Sequence, residues 1–356
     1  MTATSTDRSD APVPAEPRRS RPVREPGRPL GQRLGVDRFS GLYVWLGIVV
    51  LFSVLEPSVF PTLDNARVVG ADAAITAIVA LGLTVSLASG AFDVSISASM
   101  TWGIVFVCWL QSVHGLAPPV AILLTVATCA LIGLCNGLIV VRLHVEPIIT
   151  TMGTTAIVAA LAFWRQDGMS IVTGIPEEFK DLGRGDILGV PSTAVYLAVI
   201  AAALWYFMAH TPVGRYLYAL GGNQEAARLA GLRVDRLTVL AFVISATVAG
   251  LAGILLAAKV GSAGINQGSQ YLLPAFAAAF LGSTQIRPGR FNIMGTLVAI
   301  YLVVTGTKGL QLVYPGQPWI KELFTGVALI AAVAIGARSA RRVRLVQDEP
   351  PADADR

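Results

Sequence analysis

The chain has 356 residues, of which 54% are hydrophobic and 14% charged, with a net charge of +5 and a mean hydropathy of +0.64. A soluble chain of this length would carry about a quarter charged residues, and several uncharged runs approach the roughly 20 residues that cross a hydrocarbon core. The composition excludes a soluble globular protein and predicts an all-α integral membrane protein.

Residues 1–38 differ from the rest, because they are rich in Pro and Arg and contain no apolar run. Such a segment cannot bury enough surface to fold, so a disordered basic tail is predicted. It lacks the short apolar core of a secretory signal, and no cleavage is expected.

Apolar runs separated by Gly, Pro or charge predict about ten membrane-spanning helices in a membrane domain over 39–338, followed by a tail over 339–356. The predicted spans are 39–56, 67–89, 94–113, 119–141, 147–164, 192–209, 237–258, 271–285, 291–311 and 319–337. The eighth is short and the third follows a polar break, so either is a candidate for a broken or re-entrant helix.

The 27 Lys and Arg residues predict the orientation of these spans. With the N-terminus in the cytoplasm, 20 of them fall on the cytoplasmic side and 7 outside. The positive-inside rule therefore favours cytoplasmic N- and C-termini and an even number of spans, and it places the connection 210–236 in the cytoplasm.

Ten spans divide into two sets of five, and an odd-numbered repeat inverts its topology. The polar interruptions LASGAFDVSISAS (87–99) and VGSAGINQGSQYL (260–272) precede the third span of each half. They point to two inverted five-helix halves with a polar path between them. Two ordinary Gly/Ser loops explain the same residues equally well.

Motifs for catalysis or metal binding are missing from the sequence. It contains no GxxxxGK[ST], HExxH, GxSxG or paired-cysteine spacing, and its three histidines lie near span ends. We expect no catalytic residue, no metal site and no nucleotide cofactor in this chain. Cys108, Cys129 and Cys135 all lie in apolar stretches and are expected to be buried packing thiols.

Asp93 is the strongest candidate for a functional residue within the membrane, since buried charge is expensive and usually serves a function. Ser95 and Ser97 follow it, and hydroxyls around one carboxylate suit a polar translocation path. The alternative is that Asp93 caps the third span, accepting N–H bonds at the helix start. The two roles are compatible.

Four further polar residues are candidates for the same path: Asn136, Thr150, Thr151 and Asn266. Asn136 is a lone amide among apolar residues, where it either joins two helices or lines the path, and packing is favoured. The threonines fall in PIITTMGTT, whose small polar residues suit close helix approach as well as a pore wall.

The stretch LGGNQEAARLAGLRVDR lies between two spans and has the pattern of a short, capped helix. Asn223 is a suitable N-cap, Glu225 lies in the first turn, and Gly231 suits the left-handed position after the helix. Gln224, Ala226, Ala227 and Arg228 complete a stretch too short to be stable alone. It is predicted either to dock into another subunit or to lie on the lipid surface.

The connection TPVGRYLYALGGNQEAARLAGLRVDRL resembles the cytoplasmic loop of permease subunits of ribose/xylose-type ABC sugar importers. In that family, GR-x-x-x-A-x-G-x-N leads into an alanine-containing helix. LEPSVFPTLDNARVV, ALGLTVSLASGAFDVSISA and the segment from GILLAAKVG to FNIMGTLVA resemble other family signatures. The similarity covers about residues 40–338, in order and with matching spacing.

The chain departs from the family pattern at three places. The usual G-I-D-L-S-V-G is Ala-Phe-Asp-Val-Ser-Ile-Ser at 91–97, which keeps the Asp and one Ser but loses the glycines. Two acids are lost around 270–274, and the G-G-T signature is Gly-Ser-Thr at 282–284. These changes leave the fold intact and weaken an assignment to ribose.

The resemblance implies a non-catalytic subunit of an ATP-driven importer in the bacterial plasma membrane, translocating a small polar solute, most simply a monosaccharide. It implies a cytoplasmic ATPase that uses ATP and Mg, an extracytoplasmic solute-binding protein and a second permease copy, with lipid around them and no nucleic acid. The stretch 223–231 would then be the ATPase-coupling helix, and 165–191 the docking surface for the binding protein or a plain surface loop. The alternatives are an importer of branched-chain amino acids or nucleosides, and a secondary transporter without an ATPase.

Overall fold

A computed structural model describes residues 36–347, with side chains described over 40–334. The helices are α1 (Val36–Leu55), α2 (Leu63–Ala88), α3 (Ile96–Ser112), α4 (Pro118–Leu143), α5 (Pro147–Arg165), α6 (Glu177–Arg184), α7 (Ser192–His210), α8 (Pro212–Gly222), α9 (Gln224–Leu229), α10 (Val234–Val260), α11 (Leu272–Ser283), α12 (Ile293–Val313) and α13 (Trp319–Gln347). A two-residue hairpin, β1 (Asp186–Ile187) with β2 (Val190–Pro191), follows α6.

Each predicted apolar segment coincides with one of these helices. Over the described residues, six helices are long and apolar enough to cross a membrane: α2, α4, α5, α7, α10 and α12. The apolar parts of α1 and α3 are shorter, and α11 has only 12 residues. The chain is therefore an all-α membrane protein, as its composition predicts.

The predicted tails fall largely outside the described residues. Of the N-terminal tail 1–38, only residues 36–38 are described, and they begin α1. At the other end, α13 continues to Gln347, past the predicted boundary of the membrane domain at residue 338.

Helices α2 and α10 form the centre of the bundle. The most apolar windows of α2 and α10 are 72% and 61% buried, whereas those of α4 and α5 are 28% and 22% buried. Small residues let α10 approach its neighbours closely, since a Cβ added at Gly103 of α3 would lie 2.6 Å from the Gly250 carbonyl oxygen. Such glycine contacts replace the hydrophobic effect as the source of helix association in lipid.

Two polar interruptions lie within the bundle, and the second packs on the first turns of α3. The first, over 89–95, separates α2 from α3, and the second, over 261–271, separates α10 from α11. The Gly268 amide of the second donates to Thr101 Oγ1 of α3 at 3.1 Å, and Gly268 packs on the Ser97 carbonyl oxygen. The second interruption therefore packs on the first turns of α3, the helix that directly follows the first interruption.

The connection between α5 and α7 is a folded element. Phe179 of α6 is fully buried, and Arg184 donates to the carbonyl oxygens of Lys259 and Val260 at 2.9 and 2.7 Å. Ile171 forms an isolated antiparallel bridge with Ala263. These contacts fix the connection against the end of α10.

The expectation of three buried thiols is wrong at one position. Cys108 and Cys129 are buried, but Cys135 is exposed. Helix α4 is apolar on all sides, so the sequence does not show which face packs inward.

Candidate functional site

Asp93 is the centre of a buried hydrogen-bonded cluster. Its Oδ1 accepts from the Ser95 amide at 3.0 Å and from Ser95 Oγ at 2.6 Å, and both side chains are fully buried. The carboxylate caps the turn that starts α3, as one of the two predicted roles requires, although only Ser95 supplies the bonds.

Asn136 joins this cap to two other helices. Its Nδ2 donates to Ser95 Oγ at 2.7 Å, and its Oδ1 accepts from Thr154 Oγ1 at 2.6 Å. The amide lies on α4 and Thr154 on α5. Asn136 thus links α4, α5 and the first interruption, which is the predicted packing geometry.

Thr151 completes the cluster from the start of α5. Its hydroxyl accepts from the Val94 amide at 3.2 Å and donates to the Pro147 carbonyl oxygen at 2.9 Å. Because this hydroxyl satisfies the backbone of the interruption, irregular chain is tolerated inside the bundle.

Asp93 Oδ2 and Ser245 Oγ are both buried without a hydrogen bond of 3.5 Å or less among the described residues, although the Ser245 hydroxyl lies close enough to the Asp93 carboxylate to interact with it. Thr150 Oγ1 is also buried without such a bond. An unpaired buried oxygen costs the free energy of its lost hydration. Ser245 is on α10 and was not predicted, because a single serine in an apolar helix carries no signal in the sequence.

The remaining two predicted path residues lie apart from this cluster. Ser97 is 4% exposed and donates to the Val94 carbonyl oxygen at 3.4 Å, within its own turn. Asn266 is exposed in the second interruption and adopts φ 51°. The structure brings together Asp93, Ser95, Asn136 and Thr151, with Thr150 beside them, but not Asn266.

A cavity of about 400 Å³ lies toward the opposite end of α2. Its lining comes from α2, α10, α11, α12, α13 and the second interruption, and includes Asp72, Lys259, Tyr271, Lys308 and Lys321. Asp72 and Ala88 are 16 residues apart on α2, which corresponds to about 24 Å. The sequence signal for this cavity is the lysines, which interrupt or border apolar spans.

Helix α9 has the predicted caps. Asn223 Oδ1 accepts from the Ala226 amide at 2.9 Å, and Gly231 adopts φ 81°. Of residues 221–231, only Ala227 is buried, and Leu229 is 85% exposed. A short helix held by one alanine and its caps therefore presents nearly all its side chains to the surroundings.

The segment before α9 touches the first interruption. A Cβ added at Gly221 would collide with the Ala88 carbonyl oxygen and lie 3.0 Å from the Gly90 amide nitrogen. Gly90 has φ 83°, which favours glycine, and begins the turn that leads to Asp93. The exposed helix and the buried cluster are thus connected through a backbone contact.

A family profile described as "Branched-chain amino acid transport system / permease component" matches residues 69–333. The chain belongs to this permease family. As a permease it is a transport component and a multi-pass protein of the bacterial plasma membrane, in agreement with its apolar helices.

Three relatives show the breadth of the similarity. The permease is 31% identical over 305 residues to the ribose import permease protein of Bacillus subtilis, covering 85% of this chain and 92% of that protein. It is 26% identical to the D-allose transport system permease protein of Escherichia coli K12, covering 86% and 94%. It is 30% identical to the autoinducer 2 import system permease protein of Yersinia enterocolitica, covering 82% and 91%. No solved structure matches the chain.

Proposed function

We propose that this permease translocates a small polar solute, a monosaccharide or close analogue, through the membrane for an ATP-binding-cassette importer. Relatives similar over more than four fifths of the chain are named as permeases for ribose, allose and autoinducer 2. These names favour a sugar-like solute over branched-chain amino acids or nucleosides, and a subunit of an importer over an ATPase-independent transporter.

The observation that carries the proposal is the exposed helix α9. Its residues Asn223, Gln224, Glu225, Ala226, Ala227, Arg228 and Gly231 form a capped, outward-facing element that is connected to the buried Asp93 cluster. A separate cytoplasmic ATPase docks there and supplies the free energy of ATP hydrolysis, with Mg as its cofactor. Coupling requires that the ATPase contacts α9 differently in two conformations.

The proposed topology has ten spans, two inverted five-helix halves and cytoplasmic N- and C-termini. The second interruption packs on the helix that follows the first, through the bond from Gly268 to Thr101 of α3, which supports a pair of inverted repeats. Arg142 and Arg236 line one groove beside the start of α10, which supports a common basic end.

The remaining partners are assigned by position. The packed connection 165–191 lies at the end opposite to α9 and is the proposed docking surface for an extracytoplasmic solute-binding protein. A second permease copy, identical or related, and lipid cover the exposed apolar faces of α4 and α5. Nucleic acid has no place in this assembly.

The test is to measure solute uptake and ATP hydrolysis in vesicles with the ATPase and binding protein present. Glu225→Ala and Arg228→Ala should lower uptake about 10-fold while the amount of permease in the membrane stays unchanged. The Arg228–Asp235 pair is 3.9 Å long and its side chains are two-thirds exposed, so its loss costs little stability. Asp64→Ala, an exposed acid in the first turn of α2, is the control, and full uptake in both α9 variants would contradict the coupling role.

A further inference from the structure

The cavity at the end of α2 has a composition that the transport proposal does not explain. It encloses about 400 Å³, within the range of small-ligand sites, and is lined by both halves of the chain. Its charged lining is three lysines and one aspartate. A cavity for a neutral sugar would not need this excess of positive charge.

Only one of the lysines is neutralised. Lys259 Nζ lies 2.9 Å from Asp72 Oδ1 and also donates to the Ala71 carbonyl oxygen at 3.3 Å. Lys308 and Lys321 are half-buried, and within the range of described side chains no acidic group lies within ion-pair distance of either. Because Asp72 is already paired, the cavity retains two uncompensated positive charges.

Hydration at the protein surface does not fully explain how Lys308 carries its charge without an acidic partner. It lies five residues before the end of α12, between the buried residues Thr307 and Gly309. Intramembrane lysines face cavities or partners, because leaving them unpaired in a low-dielectric region is costly. An anion in the cavity would compensate both Lys308 and Lys321.

Neutral hydrogen-bonding groups surround these charges. Gln270, Tyr271, Thr307 and Gln311 also line the cavity. Amide and hydroxyl groups donate to and accept from the hydroxyls of a polyol. The lining therefore combines recognition of an anion with recognition of hydroxylated carbons.

We propose that this cavity binds an anionic polyol, a hydroxylated carbon skeleton bearing one carboxylate or phosphate, with Lys308 and Lys321 contacting the anion. Two sources share this chemistry: a sugar acid in solution and the headgroup of phosphatidylglycerol. The inference concerns binding to the permease alone, so it stands or falls separately from coupling to an ATPase.

The experiment uses the purified full chain in nanodiscs of phosphatidylcholine and follows its thermal unfolding. Sodium glucuronate and, in a second arm, phosphatidylglycerol mixed into the disc are the probes, with ribose as the neutral comparison. At least one anionic probe should raise the Tm by roughly 3 °C near saturation, and ribose should not match it. Which arm responds identifies the source.

Lys308→Gln and Lys321→Gln should each weaken the responding probe about 10-fold, whereas Lys180→Gln, a lysine on α6 outside the cavity, should leave its affinity unchanged. Raising NaCl from about 0.1 to 1 M shortens the Debye length from roughly 10 to 3 Å and should shrink the Tm shift of the unmutated chain. This salt arm tests the proposal if a lysine variant does not fold. No shift with either anion, an equal shift with ribose, or unchanged binding in both variants would overturn it.

Discussion

At the scale of single residues, Asp93 is fully enclosed and yet only half satisfied. Its Oδ1 takes two hydrogen bonds from Ser95, whereas Oδ2 has no hydrogen bond of 3.5 Å or less among the described residues, and the Ser245 hydroxyl is the further polar group close to the carboxylate. A buried carboxylate oxygen without a partner is costly, which favours a conformation in which water or a solute hydroxyl reaches it. The capping role and the proposed path role thus use different oxygens of the same side chain.

Asp93→Ala removes both oxygens and leaves Ser95 and Asn136 with an incomplete network. We expect uptake by Asp93→Ala to fall about 10-fold or more while the amount of membrane-inserted permease is retained. Asp93→Asn keeps one acceptor for Ser95, so its uptake should lie between that of Asp93→Ala and that of the unmutated chain. Uptake of radiolabelled solute, normalised to permease on an immunoblot, measures this. Asp64→Ala, an exposed acid in the first turn of α2, serves as control. Unchanged transport in Asp93→Ala would leave the carboxylate as a helix cap only.

Local patterns predicted the residues whose partners are close in sequence. The Asn223 cap, over three residues, is confirmed, and of the predicted Asp93 cap the bond to the Ser95 amide, over two residues, is present without one to Ile96. Ser245 and Thr154 were not recognised as neighbours of this cluster, because their positions depend on how α5 and α10 pack. Asn266 has the same residue type as Asn136 but lies in a polar turn, where it is exposed.

At the scale of elements, α8, which leads into α9, contacts the first interruption through Gly221, whereas Gly222 has open space around it. The two glycines are adjacent at the end of one helix, but only Gly221 packs against the backbone of Ala88 and Gly90. The sequence GG gives no sign of this difference.

Gly221→Ala should separate α8 from the first interruption, because the added Cβ collides with the Ala88 carbonyl oxygen. We expect uptake to fall at least 5-fold while solute-stimulated ATP hydrolysis loses its dependence on the binding protein. Gly222→Ala adds the same methyl group in open space and should transport like the unmutated chain. Equal uptake by the two variants, at equal amounts in the membrane, would show that the contact does not carry coupling.

Helices inside connections were harder to predict than helices that cross the bundle. The predicted loops 165–191 and 210–236 contain α6 and α8, which are 8 and 11 residues long. Such short helices form because tertiary packing holds them, here through Phe179 and Leu217, both fully buried. For the long helices, length and apolarity alone are enough to predict them from the sequence.

At the scale of the whole molecule, composition predicted an all-α membrane protein but not which faces are inside. Helix α4 and helix α10 are equally apolar, and yet α10 is central and α4 peripheral. In lipid both faces of a helix are apolar, so periodicity cannot separate them. The exposed position of Cys135 follows from this limit.

The proposed orientation predicts opposite labelling at the two ends. The test introduces Leu188→Cys or Leu229→Cys into a Cys135→Ser background. The leucines at these positions are 100% and 85% exposed, respectively, so each new thiol is accessible. A membrane-impermeant maleimide should modify position 188 in intact cells and position 229 only after lysis, because the basic end faces the cytoplasm. Labelling of position 229 in intact cells would instead indicate the opposite orientation in the membrane.

The hydrogen bond from Gly268 to Thr101 joins residues 167 positions apart. At roughly 5–20 residues per second, a ribosome would need about 8–33 seconds to make the second after the first. In the folded chain the Thr101 hydroxyl also donates to the Ser97 carbonyl oxygen of its own helix, at 3.0 Å, a bond that needs no residue of the second half. The first half can therefore satisfy the Thr101 hydroxyl proton within α3 before the second half is made. A lone pair of the same oxygen then accepts from the Gly268 amide. The contact between the second interruption and α3 therefore bears on the assembly of the chain as well as on transport.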